Sequence, residues 1–122
     1  MGRRVLLIED EPNIVEALSF ILTRDGWTVH AHADGATAME RVRSGSPEVI
    51  VLDAMLPGLS GFEVLRALRA DPATAAIPVL MLTARGQEKD RHLALRLGAT
   101  GFMTKPFANA ELVAEVRRLA GG

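Results

Sequence analysis

Asp53 ends an aliphatic run, Val49-Ile50-Val51-Leu52, and is followed by Ala54-Met55-Leu56-Pro57-Gly58. An unbroken run of β-branched and aliphatic residues reads as a strand buried on both faces. A carboxylate at the tip of such a strand stands where open parallel sheets carry their chemistry, outside the carboxyl ends of the strands. Val5-Leu6-Leu7-Ile8 likewise runs into Glu9-Asp10-Glu11, and Val79-Leu80-Met81-Leu82 into Thr83-Ala84. A weaker run, Gly101-Phe102-Met103-Thr104, ends in Lys105-Pro106.

Glu9 and Asp10 on one strand end, with Asp53 on a neighbour, would crowd like charges together unless something compensates them. A hard divalent cation, Mg²⁺ or Mn²⁺, does so: Mg²⁺ takes few carboxylates, keeps several waters and shares substrate phosphates. Lys105 offers a point charge for phosphate oxygens, and Thr83 a hydroxyl donor. In that setting a carboxylate can act as a nucleophile on phosphorus. Catalysis there is mostly positioning and charge neutralisation.

Taken alone, each residue has an ordinary role. Glu9-Asp10 before Pro12 suits a helix cap. Asp53 before Pro-Gly suits a turn, Thr83 a strand terminus, and Lys105 a solvated surface. All four at the tips of different strands of one sheet point jointly to a site. His30 and His32 share one face of a strand and His92 lies on a later helix; no further ligand accompanies them, so no zinc site is expected.

The elements that must position these groups alternate strand and helix five times. Pro12 suits the first position of a helix. Ile14, Val15, Leu18, Ile21 and Leu22 recur at helical spacing until Gly26. Trp27 to Ala33 reads as a second, more polar strand at the sheet edge. Asp34 is expected to cap a helix bearing Met39 and Val42, which stops at Ser44-Gly45-Ser46-Pro47. After the Asp53 strand, Ser60-Gly61-Phe62-Glu63 fits a capping box. It opens a helix with Phe62, Leu65 and Leu68 that ends at Asp71-Pro72. A fourth helix is expected over about Gln87 to Leu97. Leu93 and Leu97 share one of its faces and Leu95 lies nearly opposite, so at least one leucine should meet solvent. The last helix starts near Asn109 and should bury Leu112, Val113, Val116 and Leu119. Alternating elements with short links give a parallel α/β sheet covered by helices on both faces.

The 122 residues suffice for one compact domain. Hydrophobic residues make up 48%, yet there are only four Phe, one Trp and no Tyr, so the core must be aliphatic. The net charge of −1, with both signs interspersed, shows no nucleic-acid footprint and no polybasic membrane segment. The absence of cysteine excludes disulfides, thiolate metal sites and cysteine catalysis. No signal peptide and no membrane span are expected, because the apolar runs are too short. These features lead to the expectation of a soluble, cytoplasmic, single-domain protein.

Leu7-Ile8-Glu9-Asp10-Glu11, Val51-Leu52-Asp53-Ala54-Met55-Leu56-Pro57-Gly58-Leu59-Ser60-Gly61, Leu82-Thr83-Ala84 and Lys105-Pro106-Phe107 together resemble the receiver domain of two-component response regulators. The resemblance spans residues 1–122 and implies a flavodoxin-like (βα)5 fold, a five-stranded parallel sheet of order 2-1-3-4-5. No effector domain is expected within these residues. The family implies Asp53 as phosphoacceptor, Asp10 as direct Mg²⁺ ligand, Glu9 as the acid holding the metal through water, and Met55 as donor of a backbone carbonyl. Thr83 and Lys105 match the switch hydroxyl and the phosphate-binding lysine. Ala84 matches the small residue that leaves the phosphate accessible, Phe102 the switch aromatic, and Lys105-Pro106 a peptide bond that is cis in the family. Phe102 departs from the tyrosine of many members and lacks its outward hydroxyl. Thr100-Gly101 and Glu115 stand where the winged-helix transcription-factor class carries an acidic pair and a dimer-forming arginine.

The implied function is a signalling module, not an enzyme acting on other molecules, which catalyses its own phosphorylation and dephosphorylation. It would take a phosphoryl group from a sensor histidine kinase or histidine phosphotransfer protein. The output partner would dock on the surface of the fourth helix, last strand and last helix, with no direct nucleic-acid or membrane contact. The family pattern turns Leu95 inward and leaves Leu93 as the expected exposed leucine. A haloacid-dehalogenase-type phosphatase would want a second acid two residues after the nucleophile, where Met55 stands. A flavin carrier would want a Ser/Thr/Gly-rich first loop to cradle phosphate, and Glu9-Asp10-Glu11-Pro12 repels one.

Overall fold

In the computed structural model, which describes residues 3–84 and 88–121, five strands and five helices alternate. The elements are β1 (Arg3–Ile8), α1 (Pro12–Arg24), β2 (Trp27–His32), α2 (Ala38–Gly45), β3 (Val49–Asp53), α3 (Gly61–Ala70), β4 (Val79–Thr83), α4 (Glu88–Leu97), β5 (Gly101–Thr104) and α5 (Asn109–Leu119). All strand pairs are parallel, in the order β2-β1-β3-β4-β5. The flavodoxin-like order expected from the sequence is therefore present, and the weak Gly101 run is a strand at the edge.

Alternation along each strand divides the core between two faces. Leu6, Ile8, Ile50, Leu52 and Met81 pack with Ala38, Val42, Val64, Leu65, Leu68 and Ala94 of α2, α3 and α4. On the other face, Val5, Leu7, Val51, Leu80 and Leu82 pack with Leu18 and Leu22 of α1 and Leu112, Val116 and Leu119 of α5. Every residue of β3 and β4 is buried. At roughly 1.5–3 kcal/mol for each large aliphatic side chain, this burial fixes the register that lines up the strand tips.

Several element boundaries differ from the sequence reading. β2 ends at His32, not Ala33. Asp34 caps a single 3₁₀ turn, Gly35–Thr37, by accepting from the Ala36 amide at 2.9 Å; α2 begins after that turn. Gln87 lies outside the described residues, and α4 is described from Glu88. On α4 it is Leu95 that meets solvent, at 48% exposure, whereas Leu93 is half-buried. The buried contact of this helix is Ala94, a small side chain that lets α4 sit close to the sheet and leaves Leu95 turned away. Val113 is half-buried rather than buried.

The start of α3 ties the helix directly to the tip of β3. Ser60 Oγ accepts from the Glu63 amide and Glu63 Oε1 accepts from the Ser60 amide, both at 3.3 Å, the reciprocal pair expected from the sequence. The Gly61 amide donates to Ala54 O at 2.9 Å, and a Cβ at Gly61 would stand 2.1 Å from Asp53 O. Backbone cannot give way as a flexible side chain can. Gly61→Ala is therefore expected to lower stability by about 1–3 kcal/mol, measured as a lower urea midpoint with an unchanged slope. An unchanged midpoint would show that the two segments can separate without cost.

Candidate functional site

Strand register brings the chemical residues together. Ile8 is aligned with Leu52 and Asp53 with Leu82, so Glu9, Asp53 and Thr83 emerge side by side from three neighbouring strands. Thr83 is aligned with Thr104, which places Lys105 one residue beyond the tip of the edge strand. Backbone bonds hold the tips: Glu9 N donates to His32 O at 3.0 Å, Ala54 N to Leu82 O at 2.8 Å, and Lys105 N to Thr83 O at 2.8 Å.

The Lys105 ammonium is the centre of the cluster. It lies 3.1 Å from Glu9 Oε1, 3.4 Å from Asp53 Oδ1 and 3.5 Å from Glu11 Oε1. Asp53 Oδ1 also accepts from the Met55 amide at 3.3 Å, and Glu9 Oε2 from the Glu11 amide at 3.1 Å. Glu9, Asp53 and Thr83 are buried, whereas Asp10, Met55 and Ala84 are exposed. The Lys105–Pro106 peptide is cis.

The electrostatics follow from this crowding. Burial, opposed by the Glu11 amide and reinforced by the Asp53 charge, pushes the Glu9 carboxyl from 4.5 up to about 6; Lys105 offsets part of the rise. Burial alone would lower the Lys105 pKa. Contact with Glu9 and the charge of Asp53 outweigh it and hold the ammonium above its ordinary value. Glu9 Oε1 is buried, and among the described residues the Lys105 ammonium, 3.1 Å away, is its close polar neighbour.

Oxygens of Glu9, Asp10 and Asp53 lie within 4.8 Å of one another, the one such acidic group found among the described residues. Three convergent hard carboxylate donors, two of them buried, suit a divalent cation such as Mg²⁺. The histidines form no comparable set: His32 Nε2 is 2.6 Å from Thr37 Oγ1, and His92 lies 3.8 Å from Glu88.

Two contacts at the site had no clear sequence signal. The sequence presents Glu11 only as part of an acidic run, yet its side chain reaches Lys105. Phe102, half-buried on β5, carries the Arg91 guanidinium 5.7 Å from its ring centre. Neither pairing has a fixed sequence spacing from which it could be inferred.

The raised Glu9 pKa has a definite sign. The fold favours protonated Glu9, so this contribution is fully present below about pH 4.5 and lost as pH rises through about 6. Ionised Glu9 then costs the metal-free protein at most about 2 kcal/mol. In EDTA, Glu9→Gln is expected to gain stability relative to wild type as pH rises from 4.5 to 7.5, read by urea unfolding at each pH. A constant difference between the two proteins would show that the fold does not disfavour the charge.

Residues 5–117 match the family described as the response regulator receiver domain. The chain is 42% identical over 117 residues to the phosphate regulon transcriptional regulatory protein PhoB of Klebsiella pneumoniae, covering 96% of this chain and 51% of that protein. It is 40% identical over 117 residues to the DNA-binding response regulator MtrA of Mycolicibacterium smegmatis, covering 96% and 50%. The chain thus spans about half the length of these relatives. Because one of them is named as DNA-binding, the expectation of no nucleic-acid contact does not extend to proteins of that length. A crystal structure of the receiver domain of a sensor histidine kinase from Pseudomonas aeruginosa PAO1, solved with magnesium in its active-site cleft, superposes with a TM-score of 0.91 at 31% identity, covering 100% of both chains. With the strand order, the acid cluster and the matched residues in agreement, the chain belongs to the response regulator receiver domain family, the signalling modules of two-component systems.

Proposed function

We propose that Asp53 is the phosphoacceptor of this receiver domain. The observation that supports it most is the Lys105 ammonium 3.4 Å from Asp53 Oδ1, with Asp53 and its neighbour Glu9 both buried at the strand tips. An Asp53 carboxylate oxygen attacks phosphorus in line with the donor. The new O–P bond forms as the bond from phosphorus to the donor breaks, and its electron pair leaves with the donor. Lys105 faces the added negative charge, the Thr83 hydroxyl donates to a phosphoryl oxygen, and Ala84 leaves the approach open. Glu9, Asp10, Asp53 and the Met55 carbonyl are the groups that would hold Mg²⁺ or Mn²⁺. When bound, the cation supplies charge neutralisation among the carboxylates and a coordination position for a phosphoryl oxygen.

In this reading the donor is a sensor histidine kinase or histidine phosphotransfer protein, and the domain also catalyses its own dephosphorylation. Phosphate adds about −1.5 to −2 charge and strong acceptor oxygens beside Thr83. Movement of Thr83 toward it vacates space for Phe102, whose ring carries Arg91 of α4. The surface of α4, β5 and α5, with Leu95 exposed, then engages the output partner or effector domain. The receiver domain occupies residues 5–117, and among the described residues no helix is long and apolar enough to cross a membrane.

Acetyl phosphate with Mg²⁺ is expected to add one hydroxylamine-labile phosphate by intact mass, absent in Asp53→Asn. Phosphorylation of that variant at the wild-type rate would overturn the assignment. Mg²⁺ should also raise the melting temperature, as any ligand selective for the native state does, and the increment should largely vanish in Asp10→Asn. An equal response in that variant would remove Asp10 from the metal site.

A further inference from the structure

Glu11 precedes α1 as its N-cap residue, yet its side chain makes no capping hydrogen bond. It reaches instead across the cleft to Lys105, at 3.5 Å, while its own amide is held by Glu9 Oε2 at 3.1 Å. The ammonium has three N–H donors and three carboxylates around it, at 3.1, 3.4 and 3.5 Å. These three are not equivalent. The side chains of Glu9 and Asp53 are 2% and 4% exposed and cannot leave, whereas that of Glu11 is 61% exposed and can swing into water. Any phosphoryl oxygen that takes a share of Lys105 must displace a carboxylate, and Glu11 is the partner that gives way at least cost.

We infer that Glu11 is a positioning residue that occupies the Lys105 ammonium until phosphate arrives, and thereby sets the affinity of the site for a phosphoryl group. The inference rests on Asp53 being the phosphoacceptor. Two effects act in the same direction. Glu11 competes for the ammonium, and its charge at the mouth of the cleft repels an incoming anion. Its own ion pair, half in water, contributes little to stability, so its removal leaves the fold intact.

Beryllofluoride, a phosphoryl mimic that does not react further, reports this affinity directly. Titration is followed by fluorine NMR at saturating Mg²⁺ in wild type, Glu11→Gln, Glu11→Asp and Glu40→Gln, the last an exposed acid on α2. Glu11→Gln is expected to bind on the order of three- to tenfold more tightly, with the gap narrowing at high salt. Glu11→Asp keeps the charge but shortens the reach and should fall between. In the same samples the Lys105 ammonium resonance should shift in Glu11→Gln without ligand, and stay in place in Glu40→Gln. Unchanged affinity in Glu11→Gln, or an equal gain in Glu40→Gln, overturns the role of Glu11. Wild-type protein that binds no beryllofluoride, or Asp53→Asn that binds it equally, would instead overturn the phosphoacceptor reading on which it rests.

Discussion

Four carboxylates, Glu9, Asp10, Glu11 and Asp53, converge on a region that holds one ammonium, Lys105. A folded chain left to minimise its own energy would not collect them there. Burial and mutual repulsion push Glu9 toward its neutral form, and the ammonium is held by ion pairing against burial. The arrangement makes sense as an unfinished charge balance. It is favourable toward a divalent cation and toward a phosphoryl group that the cation and Lys105 can share. Everything else in the molecule bears on keeping those groups close.

The scaffold does this by fixing the strand tips. β1, β3 and β4 are consecutive in the sheet, so no side chain needs to reach far to meet its neighbours. Their two packed faces make register costly to change, since a one-residue slip would exchange the side chains fitted against α1 and α5 with those fitted against α2, α3 and α4. Gly61 brings the start of α3 against the Asp53 carbonyl, and the Lys105 amide is held by the Thr83 carbonyl at 2.8 Å.

At the opposite end of the strands, before β4 and β5 begin, Arg69 anchors the far end of α4. Its guanidinium donates to Gly98 O at 2.9 Å, Ala75 O at 3.1 Å, Ile77 O at 2.7 Å and Thr100 Oγ1 at 3.3 Å. α4 is thus fastened at its C-terminal end. Arg91, nearer its other end, meets the helix's surroundings through the face of Phe102. A firm anchor at one end and a soft aromatic contact toward the other suit a helix whose surface reports on the site.

The sequence by itself determined the alternation of elements, the sheet order implied by the resemblance, and the membership of the acid cluster. Each is written in local signals: aliphatic runs of strand length, Pro12 and Ser60-Glu63 at helix starts, and charged residues directly after apolar runs. Helix boundaries were less legible, because Asp34 caps equally well a 3₁₀ turn or an α-helix, and the choice depends on what packs behind it. The exposed leucine on α4 could not be read from periodicity, because Leu93 and Leu95 are both apolar and only contact with the sheet through Ala94 selects the inward face. Tertiary structure alone decided that Glu11 reaches Lys105, 94 residues away by number (105 − 11), and that Arg69 and Arg91 point where they do. Long charged side chains have many rotamers of similar energy, and only the completed fold, by placing a partner within reach, chooses among them.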